Sequence, residues 1–210
     1  MNTKIHIELT RKALESQFSN KALERIITAN IRQDRVAYML GHDHIHFDGS
    51  SFNAGFHYIT DQEKMLFEHL TQKNFPQAQD AFGRIIHSWQ DLYSHSNYVQ
   101  IWRKTHANQP PDAIIPNNPD IFNHPNFASG KNYGLIEFLA MVPVLSSLII
   151  PRMPSDSHAK MNLDSPASGP NFYFAYWAAY KATEAAYENV IEKLNQIDQS
   201  QNITINFKEK

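Results

Sequence analysis

The stretch QAQDAFGRIIHSWQDLYSHSNYVQIWRK, residues 77–104, decides the fold class of this chain. Its apolar residues return every three or four positions, which is the period of one face of an α-helix. These residues are Ala81, Phe82, Ile85, Ile86, Trp89, Leu92 and Tyr93. The stretch therefore predicts a long helix with a broad apolar stripe.

Helical periodicity also occurs on both sides of this stretch. It predicts helices over residues 7–17, 21–40, 61–70, 133–148 and 172–196, with a break at Ser19-Asn20 and a kink at Pro143. The connections 41–57, 106–131 and 151–170 have little periodicity and are predicted to be long irregular loops. The tail 202–207 alternates like a short strand. We predict one all-α domain of six or seven helices over residues 1–210.

Composition limits the classes of function. With 19 Lys and Arg against 21 Asp and Glu, the net charge of −2 argues against a non-specific polyanion binder, and we expect no stable complex with nucleic acid. The chain has no cysteine, which excludes disulfides, thiolate zinc sites and a cysteine nucleophile. Any bound metal must therefore be held by His, Asp or Glu.

Targeting signals are not visible in the sequence. The longest apolar stretch, residues 139–150, contains a proline and is shorter than the roughly 20 residues that span a bilayer. Residues 1–8 lack the apolar segment of a signal peptide. We expect no transmembrane segment, and either a cytoplasmic chain or a mature form cut from a precursor. The compartment and the oligomeric state stay open.

Histidine is unusually frequent, with 11 residues, and three possible ligands lie on the predicted central helix. His87, Asp91 and His95 are spaced by four, so they share one helix face and form a ladder that suits zinc. A hydrogen-bonded His/Asp stripe on a solvated face is the alternative. The apolar neighbours of the ladder argue for burial, and a buried polar ladder needs a partner. Metal is the simplest partner.

Other stretches carry weaker signals of the same kind. In GHDHIHFD, residues 41–48, extended backbone would direct alternate side chains to one face, although an exposed His-rich loop would look the same. The four side chains on that face are His42, His44, His46 and Asp48. Further candidates are His6, near Glu8 and Thr10, and His158, near Asp164. Asp34 would ordinarily be a charge on a wet helix face, and His57, His69, His106 and His124 are interpreted as surface residues.

The order of these residues resembles that in the superfamily of zinc-dependent phospholipase C and fungal single-strand nucleases. The sequences of the motifs most resemble those of the branch of heterokaryon incompatibility protein C (Het-C). Segments like HFD at 46–48, HSWQDLYSHSN at 87–97 and HAKMNLD at 158–164 recur there in this order. The resemblance covers roughly residues 5–190 and implies the all-α phospholipase C/nuclease fold.

The resemblance implies two or three zinc ions. One zinc would be held by Asp34, His46, His87 and Asp91. A second would be held by His95, His158 and Asp164, and a third by His6 and a bridging Asp91. The sequence departs from the superfamily pattern twice. The enzymes use the amino group of an N-terminal Trp, where this chain has Met1, and their acid at +4 from the last His is Asn162 here.

The implied activity is hydrolysis of a phosphodiester by metal-activated water. Asp34 would orient that water or accept its proton. The substrate is expected to be a phospholipid or another phosphodiester, with phospholipase C-like chemistry ahead of nuclease chemistry. Several aromatic residues could receive a lipid or a base, or equally belong to the core. They are Phe52, Phe56, Tyr58, Phe122, Phe127 and Phe172.

Two other hypotheses fit the sequence. An HD-type metal-dependent phosphohydrolase could use His6, His42-Asp43 and Asp91, but this leaves His46, His95 and His158 without a role. A non-catalytic helical module could instead use the His/Asp set as a structural metal site, which would be closed to solvent.

Overall fold

The structure, a computed structural model, describes residues 1–35, 38, 41–140, 142–196 and 200–209. Over these residues the chain is all-α, as predicted, with seven helices of at least eight residues and four shorter ones. The helices are α1 Thr3–Leu14, α2 Asn20–Arg32, α3 Phe52–Thr71, α4 Phe75–His95, α5 Tyr98–Thr105, α6 Pro119–Phe122, α7 Leu135–Ala140, α8 Pro143–Ile149, α9 His158–Met161, α10 Asn171–Asn195 and α11 Ser200–Glu209. The described ranges contain no strand, only two isolated β-bridges.

Helix α4 is the centre of the fold. It packs against α2, α3 and α10, while α1 packs against α2 and α10. The predicted apolar stripe is confirmed, because Phe82, Ile85, Ile86, Leu92 and Tyr93 are all buried. One helix surrounded by three others buries apolar side chains on most of its circumference. It also brings any polar group on α4 into the interior.

The prediction that the central helix continues to residue 104 is wrong. Helix α4 ends at His95, and Ser96 is extended, with φ −102° and ψ 168°. The N–H of Asn97 donates to the carbonyl of Ala128 at 2.9 Å, and Tyr98 N–H donates to the Ser96 hydroxyl at 3.3 Å. Ser and Asn offer the backbone such alternatives to helical hydrogen bonds. The chain therefore turns directly after a candidate ligand.

The strand-like tail is also corrected. Residues 200–209 form helix α11, in which Phe207 is fully buried and contacts the rings of Phe18 and Phe82. Ile203 packs against the core, whereas Ile205 is exposed. The alternation in six residues fits a helix equally well, because positions 203 and 207 are also four apart.

Several helix boundaries differ from the predicted ones. Each predicted loop contains a helix or part of one, namely the start of α3, α6 and α9. The break at Ser19 is confirmed, since its hydroxyl caps α2 by accepting the N–H of Ala22. Pro143 begins a separate helix, α8, as its predicted kink suggested. Residues 36, 37, 39 and 40 of the second predicted helix lie outside the described ranges.

Candidate metal centre

The eight predicted ligands converge on the middle and C-terminal part of α4. Helix α4 contributes His87, Asp91 and His95, and α1 contributes His6. The other four come from the chain after α2, from the turn before α3, and from the α9 segment. They are Asp34, His46, His158 and Asp164.

Asp91 lies at the centre of this set and is buried. Its Oδ1 is 3.1 Å from His6 Nε2 and 3.8 Å from His95 Nε2. Its Oδ2 is 2.8 Å from His46 Nδ1 and 3.0 Å from His87 Nε2. Two ligands of one tetrahedral zinc, each at about 2.0–2.2 Å, lie about 3.3–3.5 Å apart. The four separations around Asp91 lie on both sides of this spacing, and the three shortest are also hydrogen-bond distances.

Three of the histidines are held in the same way. Their Nδ1 atoms each face an oxygen that can only accept: Gln90 Oε1 at 2.6 Å from His6, Asn30 Oδ1 at 3.2 Å from His87, and the His46 carbonyl at 3.0 Å from His95. Nδ1 must then carry the proton in each hydrogen bond. Nε2 of His6 and Nε2 of His87 are directed towards Asp91, whereas His95 Nε2 is closer to Asp164 Oδ1, at 3.4 Å, than to Asp91, at 3.8 Å. Metal-binding histidines are oriented in this manner by their surroundings.

Sequence reasoning missed Asn30 and Gln90, which belong to a buried polar network. Gln90 Oε1 also accepts from Asn30 Nδ2 at 3.0 Å, and Gln90 Nε2 donates to the hydroxyls of Thr10 at 3.2 Å and Thr183 at 3.0 Å. All four side chains are fully buried. Gln90 could have been recognised from the sequence, because it is an amide next to Asp91 on a helix with many apolar residues.

A second cluster forms around Asp48, which the resemblance did not assign to any zinc. Asp48 Oδ1 is 2.8 Å from His158 Nδ1 and 3.3 Å from His95 Nδ1. Asp164 lies at the other edge of the His95 ring, with Oδ1 3.4 Å from His95 Nε2. The structure thus groups His158 with Asp48, whereas the resemblance groups it with Asp164.

Two sets of possible ligands can be defined among the described residues by requiring that all ligand atoms lie within 4.8 Å of one another. The first set is His6, Asp34, His87 and Asp91. The second set is Asp48, His95 and His158. His46 and Asp164 contact members of these sets without belonging to either.

The turn before α3 explains the position of Asp48. The amides of Ile45, His46 and Asp48 donate to the carbonyls of His42 and Asp43, so the predicted extended backbone is wrong. Phe47 has a positive φ of 58°, which redirects the chain. His46 and Asp48 are buried at the centre as a result. His44 instead contacts the Tyr58 ring edge-on, and His42 is 6.0 Å from His44 between ring centroids.

Gly130 brings three ligand-bearing segments together. Its N–H donates to the His95 carbonyl at 3.0 Å, and its carbonyl accepts from Gly49 N–H at 2.7 Å. A Cβ at this position would lie 2.5 Å from the Cα of His158. Only glycine permits this close approach of the two backbones.

The α-amino group of Met1 is buried on the Nε2 side of the His95 ring. It forms an ion pair with Asp91, donates to the Ser94 hydroxyl at 2.8 Å and lies 3.3 Å from Asp164 Oδ1. Burial opposes its charge, but Asp91, Asp164 and Asp34 outweigh burial and raise the pKa of the amine to about 10. The amine is therefore an ammonium that contacts two of the candidate ligands, Asp91 and Asp164.

The electrostatics of the centre favour carboxylates and at least one neutral imidazole. Burial lowers the pKa of His87 to about 4 despite the opposite effect of Asp91, so His87 keeps a free lone pair at neutral pH. Burial would raise the pKa of Asp91, but the Met1 ammonium and the imidazoles hold it well below its usual range. The pKa values of Asp48 and Asp164 are lowered in the same way, against burial.

The residues present fit zinc. His46 Nε2 is buried without a hydrogen-bond partner, which is costly unless another group contacts it, and His6 Nε2 forms no hydrogen bond although Asp91 Oδ1 is 3.1 Å away. The set offers imidazole nitrogens and carboxylate oxygens, the donors that zinc accepts in a protein without cysteine. The side chains of Asp34 and Asp164 are 25% and 27% exposed, so the centre opens to solvent at these two carboxylates.

The aromatic residues that could have received a substrate pack against one another instead. Phe52 stacks on Phe127 with ring centroids 4.2 Å apart, and Phe56 contacts Phe122 and Trp89. Phe172 is buried. The core interpretation is thus supported for the five phenylalanines, whereas Tyr58 is half-buried and accepts a hydrogen bond from Gln33 Nε2.

Together, the fold and the centre define an all-α domain with a buried His/Asp cluster. The family model described as the VWA7 N-terminal domain matches residues 3–119, more than half of the 210 residues. The chain belongs to this family. The matched part includes all of the candidate ligands except His158 and Asp164. No curated protein and no solved structure matches the chain.

The role of Gln90 can be tested with a matched pair of variants. Gln90→Met removes the acceptor that fixes His6, and we expect zinc affinity to fall about 10–100-fold. Gln79→Met is the control, because Gln79 is equally buried on α4 but donates to the carbonyl of Phe207, away from the centre. Zinc titration against a chromophoric chelator measures both. Equal affinity in the two variants would contradict a supporting role for Gln90.

Proposed function

We propose that this protein is a zinc-dependent phosphodiester hydrolase with phospholipase C-like chemistry. The observation that carries the proposal is the common orientation of His6 and His87, each fixed through Nδ1 and directed through Nε2 towards Asp91. The resemblance in residue order to the phospholipase C/nuclease superfamily supports the same reaction class.

The two ligand sets would hold the metal. His6, Asp34, His87 and Asp91 would hold one ion, and Asp48, His95 and His158 a second. His95 would bind the second ion through Nδ1, the atom that faces Asp48, in place of its hydrogen bond to the His46 carbonyl. His46 and Asp164 lie close enough to complete these sites or to form a third. Bound zinc polarises phosphoryl oxygens and lowers the pKa of water towards about 7, which supplies a nucleophile at neutral pH.

Asp34 is suited to handle the proton of the attacking water. Asp34 is the most solvent-exposed member of the first set. Its Oδ1 is 3.8 Å from His87 Nε2, and its Oδ2 accepts a hydrogen bond from Thr3 Oγ1 at 3.2 Å. A carboxylate held by one neighbour and open to solvent can orient a water molecule and accept its proton. The phosphodiester would approach between Asp34 and Asp164, where the centre is open.

The two rival functions are separated by particular residues. In the part of the chain that the structure describes, neither His42 nor Asp43 belongs to a ligand set, so the HD-type arrangement gains no support from the geometry. A structural metal site would be closed to solvent, whereas this centre opens at two carboxylates.

The test compares Asp34→Asn with Asp43→Asn in zinc-loaded protein. We expect Asp34→Asn to reduce the hydrolysis rate about 10²–10⁴-fold, because the group that accepts the proton is lost. Asp43→Asn should be close to the parent. The assay uses bis(p-nitrophenyl) phosphate, phosphatidylcholine and single-stranded DNA, with zinc content measured on the same samples.

Each other outcome has a distinct meaning. A rate lost in Asp43→Asn but kept in Asp34→Asn would favour the HD-type reaction. A fully zinc-loaded parent that hydrolyses none of the three substrates would overturn the hydrolase proposal in favour of a structural metal site.

A further inference from the structure

An exposed apolar hairpin lies beside the metal centre. It consists of helices α7, residues 135–140, and α8, residues 143–149, which pack against each other. Leu135 is 74% exposed, Val144 81% and Leu148 61%. Val144 and Leu148 are four apart and share one face of α8. Exposed apolar side chains clustered in this way mark a binding surface.

The hairpin carries almost no charge of its own, and two cations lie at its base beside an Asp156–Lys131 ion pair. No charged residue lies between Glu137 and Arg152. Arg152 and Lys160 are exposed at the base of the hairpin, where they donate to the carbonyls of Leu148 at 2.7 Å and Pro151 at 3.2 Å. Among the residues described, no carboxylate lies within 4.0 Å of either cation. Apolar tips flanked by unpaired cations fit an interface of acyl chains and anionic headgroups.

The hairpin is also joined to the metal centre. Glu137 of α7 is buried, and its Oε2 accepts the N–H of Ala159, the residue after His158. The N–H of His158 in turn donates to the carbonyl of Lys131, just before the hairpin, at 2.9 Å. A partner that binds to Leu135 and Val144 would therefore lie next to the segment that supplies His158.

We propose that the α7–α8 hairpin docks this protein onto a phospholipid surface that contains anionic lipids. Leu135, Val144 and Leu148 would enter the acyl boundary, while Arg152 and Lys160 would contact lipid phosphates. The hairpin would bind a membrane that contains phospholipid, the substrate class proposed above, but this docking does not depend on hydrolysis. Vesicle binding without hydrolysis would support the docking proposal and contradict the hydrolase proposal. Hydrolysis of soluble esters without vesicle binding would contradict the docking proposal and leave the hydrolase proposal intact.

The absence of cysteine allows a direct test. A single cysteine introduced by Val144→Cys, labelled with an environment-sensitive fluorophore, should show a blue-shifted emission with vesicles of phosphatidylcholine and phosphatidylserine. Ile205→Cys is the matched control, because Ile205 is 58% exposed on α11 and lies outside the hairpin. Its emission should not change.

Co-sedimentation with the same vesicles measures the strength of binding. The double variant Val144→Glu and Leu148→Glu should bind roughly tenfold more weakly or worse, since two charged groups replace the inserted side chains. Ile115→Glu with Ile205→Glu, at residues 57% and 58% exposed elsewhere, should bind like the parent. Arg152→Gln and Lys160→Gln should each weaken binding roughly fivefold, and only to vesicles with phosphatidylserine.

Three results would overturn the proposal. These are an unchanged emission from the label at position 144, an equal shift from the control label at 205, and a shift at 144 that occurs without lipid and grows with protein concentration. The last would show that a second copy of the chain covers the hairpin. Circular dichroism of each variant checks that its helices are intact.

Discussion

Asp91→Asn should abolish zinc binding at the first ligand set and destabilise the metal-free protein. Asp91 is buried and contacts four imidazoles and the Met1 ammonium. Removing one partner of a buried ion pair costs about 3–5 kcal/mol, because the remaining charge is left without compensation. Both the zinc content and the free energy of unfolding should therefore fall.

The control for this variant is Asp80→Asn on the same helix. Asp80 pairs with Arg25 at 2.7 Å near the surface, where such a pair contributes about 0–1 kcal/mol. Urea unfolding in the presence of a chelator compares the two variants, and elemental analysis gives their zinc contents. An Asp91→Asn protein that binds as much zinc as the parent would contradict the central position of Asp91.

Zinc should stabilise the folded protein strongly and specifically. A ligand that binds only the folded state at about 1,000 times its Kd adds about 4 kcal/mol to the free energy of unfolding. The thermal midpoint should rise with added zinc and fall when a chelator is added. Magnesium prefers oxygen ligands and should have little effect on this imidazole-rich set.

The zinc effect should depend on pH in one direction. Zinc binds neutral imidazoles, so protons compete with it. Burial opposes the charge of His95, but Asp91 and Asp48 outweigh burial and raise the pKa of this imidazole well above its ordinary value. The stabilisation should therefore still increase with pH above about 6.5, the ordinary histidine pKa, and decrease as the pH falls. Differential scanning fluorimetry across this range measures the loss. A thermal midpoint that zinc leaves unchanged at pH 8, or that magnesium raises equally, would count against a zinc site.

The ladder on α4 was predictable from local sequence, because a spacing of four fixes a shared helix face. The apolar neighbours of His87 and Asp91 correctly predicted burial. The convergence of Asp34, His46 and His158 on this ladder was not contained in any local pattern. It depends on how loops return to α4, and only the resemblance in residue order indicated it.

Other features of the centre depend on contacts between distant segments. Asp48 reaches His158, 110 residues away in sequence, because Phe47 takes a left-handed conformation that extended-strand reasoning excluded. Gln90 was missed because a hydrogen bond to His6 requires knowledge of the α1–α4 packing. Periodicity describes faces within one element and says little about contacts between elements.

The central claim is that the clustered histidines and carboxylates hold zinc. The most direct measurement is the zinc content of protein purified without a histidine tag, combined with X-ray absorption at the zinc edge. We expect two or three zinc ions per chain, in a shell of nitrogen and oxygen ligands at about 2.0–2.2 Å with the scattering pattern of imidazole. Less than one zinc per chain after incubation with excess zinc, or a shell without imidazole, would contradict it.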